Sequence, residues 1–356
     1  MRKIALFDPY LDTLGGGEKH ILSIIEILAE KGYEVTIFWD KDLKEKIKDR
    51  FQLRFVDQYS FSPNIFKQSN PLKTYLTLSR YDYFFYVTDG SYFASGAKNN
   101  YVFAMVPDKN LYSLNITNRL KLFNYKFISN SPYTTKWLNA WGISTDTITP
   151  YLTPDILESK LVKKEKTILS VARFFPHLHS KNQAEIISAF KRLKKANSQF
   201  GDYKLVLAGG LKEEDREYFN KLRSEAGDDL SIVFKTNLDK QELVNLYRSS
   251  KYFWHFTGLK ANEKIHPEMV EHFGIAPLEA MATGTITFCH NSGGPKEFVV
   301  DGQTGFLFDD IDELVSKMVI IENDVVLKDR IAKQAYDLVK KRYNYETFKD
   351  TVLKLL

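Results

Sequence analysis

The chain has 356 residues, 44% hydrophobic and 27% charged, a soluble composition long enough for two ordinary domains. A net charge of +5 lacks the concentrated basic stripe of a nucleic-acid binder, and a single cysteine, Cys289, excludes an internal disulfide and suits a reducing, cytoplasmic compartment. The amino terminus turns polar at Asp8 before a signal-peptide core forms, and no apolar run reaches the length of about 18 residues needed to span a membrane.

Short β-rich apolar runs alternate with longer amphipathic ones, the pattern of α/β units on parallel sheets. Strands are predicted over 3–7, 35–39, 53–56, 83–87, 101–105, 126–129 and 147–149. A helix is predicted over 17–31, where Ile21, Ile24, Ile25 and Leu28 recur at helical spacing. The charged stretch 158–166, with Lys160, Lys163, Lys164, Glu165 and Lys166, reads as a solvated linker. A second series follows at 167–171, 204–207, 231–234, 252–255 and 285–288. The pattern predicts a first domain over 1–157, a second over 158–340, and a terminal helix within 341–356 that is amphipathic enough to return to the first domain.

Ligands of doubly wound sheets lie beyond the carboxyl ends of the strands, and with two such domains the cleft between them is the default site. Three glycine turns fall at such ends, at Gly15-Gly16-Gly17, Gly209-Gly210 and Gly293-Gly294, where backbone is able to approach a ligand closely. Arg173 follows the strand 167–171 and Lys181 opens the next helix, a pair suited to a diphosphate, the Arg by its bidentate fork and the Lys as a point charge. A dinucleotide turn fits poorly, because His20 stands where its third glycine belongs. His177 with His179 and His266 with His272 lack a metal-ligand set, and Asp310-Ile-Asp312 reads as a helix-start cluster.

The most informative segment is Glu271-His-Phe-Gly-Ile-Ala-Pro-Leu-Glu279, running into Ala280-Met-Ala-Thr-Gly284. Pro277 suits the first position of a helix over 277–283 that stops at Gly284, which puts Ala276 at the cap. Alanine has no oxygen for the first-turn N–H groups, so a phosphate or sugar hydroxyl is their natural acceptor. Glu271 before the bend and Glu279 in the first turn then face one ligand from two sides.

With these residues assembled, the chain resembles the retaining nucleotide-sugar glycosyltransferases of the two-Rossmann (GT-B) type, in the large family numbered 4. The likeness rests on Gly15-Gly-Gly-Glu18, Phe127-Ile-Ser-Asn-Ser131, Val171-Ala-Arg173 with Lys181, and the two glutamates with their Phe-Gly and Glu-Ala-Met-Ala surroundings. That last block and His290-Asn-Ser-Gly-Gly-Pro-Lys296 are especially similar to the mannosyltransferases that add α-1,2-linked mannose to dolichol-linked oligosaccharide. The resemblance implies an α/β fold of two Rossmann-like domains facing a central cleft. It also implies a glycosyltransferase that moves a hexose, mannose from GDP-mannose first, to a glycan or glycolipid acceptor with retention of configuration. A UDP-sugar donor, and a sugar-nucleotide epimerase of the same architecture, are the alternatives.

Carried over by position, Glu271 would bond the donor hexose, and Arg173 and Lys181 would stabilise the charge growing on the diphosphate. Glu279 would take the ribose hydroxyls, and Phe273, Gly274, Ile275 and Ala276 would present the turn to sugar or phosphate. Gly16 and Gly17 would close on the same diphosphate, and the base would sit near Lys235 and Asn237. With the charge met in this way no metal is required, and no cofactor beyond the sugar nucleotide is implied. Where many members carry a His on the first-domain acceptor loop this chain reads Val106-Pro-Asp108, so Asp108 is the acceptor-side candidate, with turn capping as its other reading. The stretch 111–127 interleaves Leu114, Leu120, Leu122 and Phe123 with Arg119, Lys121 and Lys126. It suits either an anionic membrane face, giving a peripheral position for a lipid-linked acceptor, or a core-facing helix.

Overall fold

Alternating strand and helix build two parallel sheets in the computed structural model, which describes residues 2–67, 70–176 and 180–356. Unit one comprises Met1–Pro150 with Phe348–Leu356, and unit two comprises Tyr151–Thr347.

Unit one contains β1 (Lys3–Phe7), β2 (Glu34–Phe38), β3 (Tyr59–Ser62), β4 (Tyr83–Val87), β5 (Asn99–Ala104), β6 (Tyr125–Ser129) and β7 (Thr145–Thr147). Their order is β3-β2-β1-β4-β5-β6-β7, with every pairing parallel. Strands covered on both faces read as continuous apolar runs, as Ile4, Ala5 and Leu6 show by being fully buried. The chain leaves β1 for β2 on one side and reaches β4 on the other, so the switch point of the sheet lies at the carboxyl ends of β1 and β4.

The helix Gly16–Glu30 starts just beyond β1, with Glu18 accepting from the Gly15 N–H at 2.6 Å and the Thr13 hydroxyl at 2.7 Å. A Cβ on Gly17 would collide with the Met105 sulfur, so Gly17 lets this helix pack against the loop after β5, while Gly16 faces open space. His20 is a neutral core residue, edge-on to Phe103, its pKa pulled down to about 3 by burial. The terminal segment docks in unit one through Lys349, 2.8 Å from Glu30, and through the Tyr83 hydroxyl, which donates to the Leu356 carbonyl at 3.1 Å.

The predicted strand 53–56 is instead a loop leading into the single turn Val56–Gln58, and β3 follows it. Leu53 and Val56 are both buried, and a short apolar run does not distinguish a buried turn from a strand. In the stretch 111–127, Tyr112, Leu122 and Phe127 enter the core, whereas Ile116, Leu120 and Phe123 are 80%, 70% and 77% exposed. The core-facing reading thus holds for part of that stretch, and the rest of its apolar side chains are exposed. Among the described residues no helix is long and apolar enough to cross a membrane.

Unit two contains β8 (Glu165–Val171), β9 (Lys204–Gly209), β10 (Ile232–Thr236), β11 (Ser250–His255), β12 (Ile286–His290) and β13 (Phe306–Phe308), in the order β10-β9-β8-β11-β12-β13 and all parallel. Successive residues feed opposite faces: Ile168, Tyr252 and Trp254 enter one apolar core, and Leu169, Phe253 and Met281 the other. Leu152, Ile156 and Leu157 belong to this second core.

The charged stretch 158–166 is not solvated throughout. The Lys164 ammonium is buried and donates to the carbonyls of Arg248 and Thr283 at 2.9 and 2.8 Å and to the Thr285 hydroxyl at 2.9 Å. It satisfies carbonyls at the ends of the helices Lys240–Ser249 and Ile275–Ala282, where a cation also meets the negative ends of their dipoles.

Candidate active site

The charged centre of unit two is assembled at strand ends. The backbone of Asn182 adopts a left-handed turn (φ 52°), which asparagine tolerates, and its side-chain amide donates to the Phe256 carbonyl at 2.8 Å. This pins Lys181 beside the end of β11. Lys181 Nζ then lies 2.7 Å from Glu271 Oε2, and His255 Nε2 stands 3.1 Å from the same oxygen. Burial alone would raise the Glu271 pKa, but Lys181 and His255 overcome it and hold the carboxyl well below the usual range. Burial lowers the His255 pKa against the pull of Glu271. The group is thus a carboxylate between an ammonium and a neutral imidazole. Cys289, the rung of β12 opposite His255, is buried, and desolvation with the Glu271 charge pushes its thiol well up, so it is inert.

The helix after Glu271 runs Ile275–Ala282 with Gly274 at its cap (φ 102°), two residues earlier than Pro277 had suggested. Ala276 is therefore inside the helix, Pro277 is third, where a missing N–H is still harmless, and Glu279 lies beyond the first turn. Like the alanine expected there, the Gly274 cap makes no side-chain bond to the first-turn N–H groups. Phe273 departs from expectation: its ring is buried edge-on to Phe298 and Tyr343, so it anchors the turn from the core.

The glycine pair Gly293-Gly294 also has a different use from the one predicted. The Gly294 N–H donates to the Glu271 carbonyl at 2.7 Å, and a Cβ on Gly293 or Gly294 would collide with the carbonyl of Glu271 or His272. The close approach is backbone on backbone, and it supports the Glu271 turn from behind. Gly209 does the same for the loop after β8, where a Cβ would meet the Ala172 carbonyl.

The other predicted residues are dispersed. Arg173 is exposed, its guanidinium 5.1 Å over the Phe175 ring and its carbonyl accepting from Gln183 Nε2 at 2.9 Å. Glu279 lies beside the buried Tyr247 phenol, whose pKa burial and the Glu279 charge push well up. Asn237 is occupied with Leu211, accepting its N–H at 2.9 Å and donating to its carbonyl at 3.1 Å. Lys235 lines a separate groove of about 440 Å³ with Glu165, Leu238, Glu242 and Arg248. Asp108 accepts the Asn110 N–H at 2.9 Å and caps the turn Lys109–Tyr112, and Asp310 caps its helix by accepting from the Glu313 N–H at 2.9 Å. His266 pairs with Glu268 at 3.1 Å, His272 Nε2 is 3.1 Å from the Glu268 carbonyl, and His177 and His179 lie outside the described residues.

Sequence reading missed His255, whose only signal is its place at the end of a strand. It also missed a cluster at the switch point of unit one. There Asp8 is fully buried, Oδ1 accepting the Tyr10 N–H at 2.9 Å and Oδ2 having no partner among the described residues. Burial, then the Glu18 charge, pushes the Asp8 pKa up to about 8, so at neutral pH it is largely the protonated acid. The Tyr86 hydroxyl donates to Asp89 Oδ1 at 2.5 Å, and the Ser91 N–H donates to the same oxygen at 2.9 Å. The partly exposed Tyr10 phenol has its pKa raised by burial and by the charges of Asp89 and Asp8.

Residues 154–338 match the family described as glycosyl transferases group 1. A GDP-Man:Man(3)GlcNAc(2)-PP-Dol alpha-1,2-mannosyltransferase of Xenopus laevis is 35% identical over 178 residues, 47% of this chain and 33% of that protein. Its Homo sapiens counterpart is 35% identical over 187 residues, 48% of this chain and 35% of that protein. The chain thus spans about a third of the length of these relatives. Among solved structures, HepE of Anabaena in complex with UDP superposes with a TM-score of 0.73 at 16% identity over 99% of both chains. A Rickettsia africae glycosyltransferase gives 0.74 at 16% identity over 99% of this chain and 97% of that one. At such identity the likeness shows the fold, the two parallel-sheet α/β domains of GT-B structures.

Proposed function

Because this chain belongs to the glycosyl transferases group 1 family, we propose that it moves a hexose, mannose from GDP-mannose as first choice, to a glycan or lipid-linked acceptor, with retention and without a metal. The Lys181–Glu271 pair, set before a helix start with no side-chain cap, is the observation that carries this reading. When the glycosidic bond breaks, its electron pair goes to the leaving diphosphate oxygen. Lys181, Arg173 and the N–H groups around Ile275 and Ala276 meet that charge, in an electrostatic role that dominates many rate enhancements. Glu271, held ionised, accepts a hydroxyl of the hexose, and Glu279 takes the ribose. The acceptor hydroxyl bonds to the anomeric carbon on the face the diphosphate leaves, and its proton passes to a phosphate oxygen. Mannose and guanine are favoured by the names of the Xenopus and human relatives.

Calorimetric titration with GDP, UDP and ADP tests the donor, with GDP expected to bind tightest. Arg173→Ala is expected to weaken GDP binding and transfer together by roughly 10- to 100-fold, the worth of a charged hydrogen bond. Tighter binding of UDP would replace the donor assignment, and wild-type GDP affinity in the Arg173 variant would remove Arg173 from the site.

A lipid-linked acceptor requires access to a membrane surface. Besides Ile116, Leu120 and Phe123, unit one leaves Leu72 and Leu76 of the helix Pro71–Leu78 68% and 55% exposed. The loop between these segments touches both, since Gly96 packs against Tyr75 and Ser79 and the Asn124 amide donates to the Ser95 carbonyl at 3.0 Å. With Lys73, Arg119 and Lys121 interleaved, this face suits an anionic bilayer, each basic residue contributing about 1 kcal/mol near the surface. Binding to phosphatidylserine vesicles at low salt is expected, falling on Lys73→Glu with Lys121→Glu and at high salt. No vesicle binding at low salt would remove the membrane from this reading.

A further inference from the structure

Two nitrogen groups of unit two converge on one oxygen of Glu271, and the other oxygen is left over. Lys181 Nζ at 2.7 Å and His255 Nε2 at 3.1 Å both address Oε2, whereas no described residue bonds to Oε1 and the Glu271 side chain keeps 19% of its surface exposed. The two neighbours differ in how firmly they are held. Lys181 ends a flexible four-carbon stem, and in the transferase reading its ammonium is shared with the diphosphate. His255 is 5% exposed, closes β11 on a rung shared with Cys289, and lays its ring parallel to that of the fully buried Phe253 at 6.4 Å. Phe256, next in the chain, has its carbonyl taken by the Asn182 amide at 2.8 Å, so the backbone is fixed on that side too. Of the three side chains, the imidazole has the least freedom to move.

A fixed imidazole selects which carboxylate oxygen a ligand meets. Nε2 is buried with no other acceptor among the described residues, and its contact with Oε2 is within hydrogen-bond reach although the ring is turned off the line of the bond. A neutral imidazole carries one proton, and only the tautomer with that proton on Nε2 sets a donor, not a lone pair, against the carboxylate. Oε1 then keeps its full capacity to accept a hydroxyl. A second proton on the ring changes this balance. An imidazolium binds Oε2 as a charged partner beside Lys181 and draws electron density away from the oxygen offered to the ligand. The charged groups that face His255 are Glu271 and Lys181, and Cys289 on the neighbouring strand stays a thiol. Desolvation keeps the His255 pKa below its ordinary 6.5, and Glu271 remains ionised throughout that range.

We propose that His255 is a positioning residue for Glu271, its neutral Nε2–H holding Oε2 so that Oε1 is presented to a hydroxyl of the transferred hexose. The assignment rests on the transferase reading and adds to it how the hexose contact is set and when it is lost. It is lost when His255 takes up a proton, whereas the nucleoside diphosphate, held by Arg173 and Lys181, is unaffected.

Calorimetric titration of the full chain with GDP and with GDP-mannose tests it, UDP and UDP-glucose taking their place should UDP bind tighter. His255→Leu, close in volume but without a donor, is expected to weaken GDP-mannose about tenfold and leave GDP unchanged, the worth of one hydrogen bond to a charged group. His255→Gln, whose uncharged amide N–H reaches about the same place, should restore most of that loss. Between about pH 7 and about pH 5.5 the wild type should lose affinity for GDP-mannose relative to GDP, and His255→Gln should not. A role confined to packing would move both ligands together and give no pH dependence that the glutamine removes. Unchanged GDP-mannose binding in His255→Leu, or the same acid loss in His255→Gln as in the wild type, overturns the assignment. If neither GDP nor UDP binds the wild type the transferase reading fails, whereas nucleotide binding with no effect of the His255 variants removes only the positioning role.

Discussion

Glu271→Ala is expected to lower the transfer rate by about 10²- to 10³-fold while leaving nucleoside diphosphate binding at or above its wild-type strength, the loss typical of one contact to the reacting centre. The asymmetry follows from what the carboxylate holds. Lys181 is tied to Glu271 at 2.7 Å, and removing the acid releases the ammonium to the diphosphate. The sugar then loses its acceptor while the nucleotide keeps its cation. Lys181→Met should behave in the opposite way, since it leaves a carboxylate enclosed with only a neutral imidazole at 3.1 Å. An uncompensated buried charge costs about 3–5 kcal/mol, so that variant should lose stability and nucleotide affinity together. Glu271→Gln, which keeps the shape and one acceptor oxygen, should fall between wild type and Glu271→Ala in rate. Single-turnover transfer and GDP calorimetry on the three variants separate these outcomes. Wild-type transfer by Glu271→Ala would sink the site assignment, and parallel loss of GDP binding would reduce Glu271 to a structural ion pair.

The ends of that ion pair are far apart in sequence, and this sets what the chain alone reveals. Strands buried on both faces are legible: β1 and β4 have the predicted bounds because nothing polar interrupts Ile4 to Leu6 or Phe84 to Tyr86. Lys164 is not legible, since a lysine among lysines looks solvated, and only the ends of two helices arriving from elsewhere make it a buried donor. The uncapped helix start was foreseen with the wrong cap residue, because Gly274 reaches its positive φ where proline geometry pointed to Ala276. Phe273 follows Glu271 by two residues and precedes the uncapped turn, yet its ring is claimed by Phe298 and Tyr343. His255 carries no motif of its own and acquires a role only through Glu271, which approaches it from the far side of a loop. Gly293 was legible as a place of close approach, but the partner is the Glu271 carbonyl and not a ligand.

That last contact gives the second large expectation. Gly293 has φ 67° and ψ −152°, a region open almost only to glycine, and its absent Cβ is where the Glu271 carbonyl sits. Gly293→Ala combines backbone strain of about 1–3 kcal/mol with overpacking of about 1–3 kcal/mol, for a loss of roughly 2–6 kcal/mol. In a unit the size of Tyr151–Thr347 this should lower Tm by roughly 5–20 °C. Relief by backbone movement would carry Glu271 with it and break the 2.7 Å bond from the Gly294 N–H. A displacement of about 1 Å at a reacting centre costs about 10²-fold, so transfer should fall even where the variant remains folded. Gly227 supplies the control, because it has φ 66° and ψ −145° with nothing within 4 Å of a built Cβ. Gly227→Ala should show the strain alone, a smaller drop in Tm with transfer intact. If the two variants lose equal stability and Gly293→Ala still transfers at the wild-type rate, support of Glu271 is not what this glycine provides.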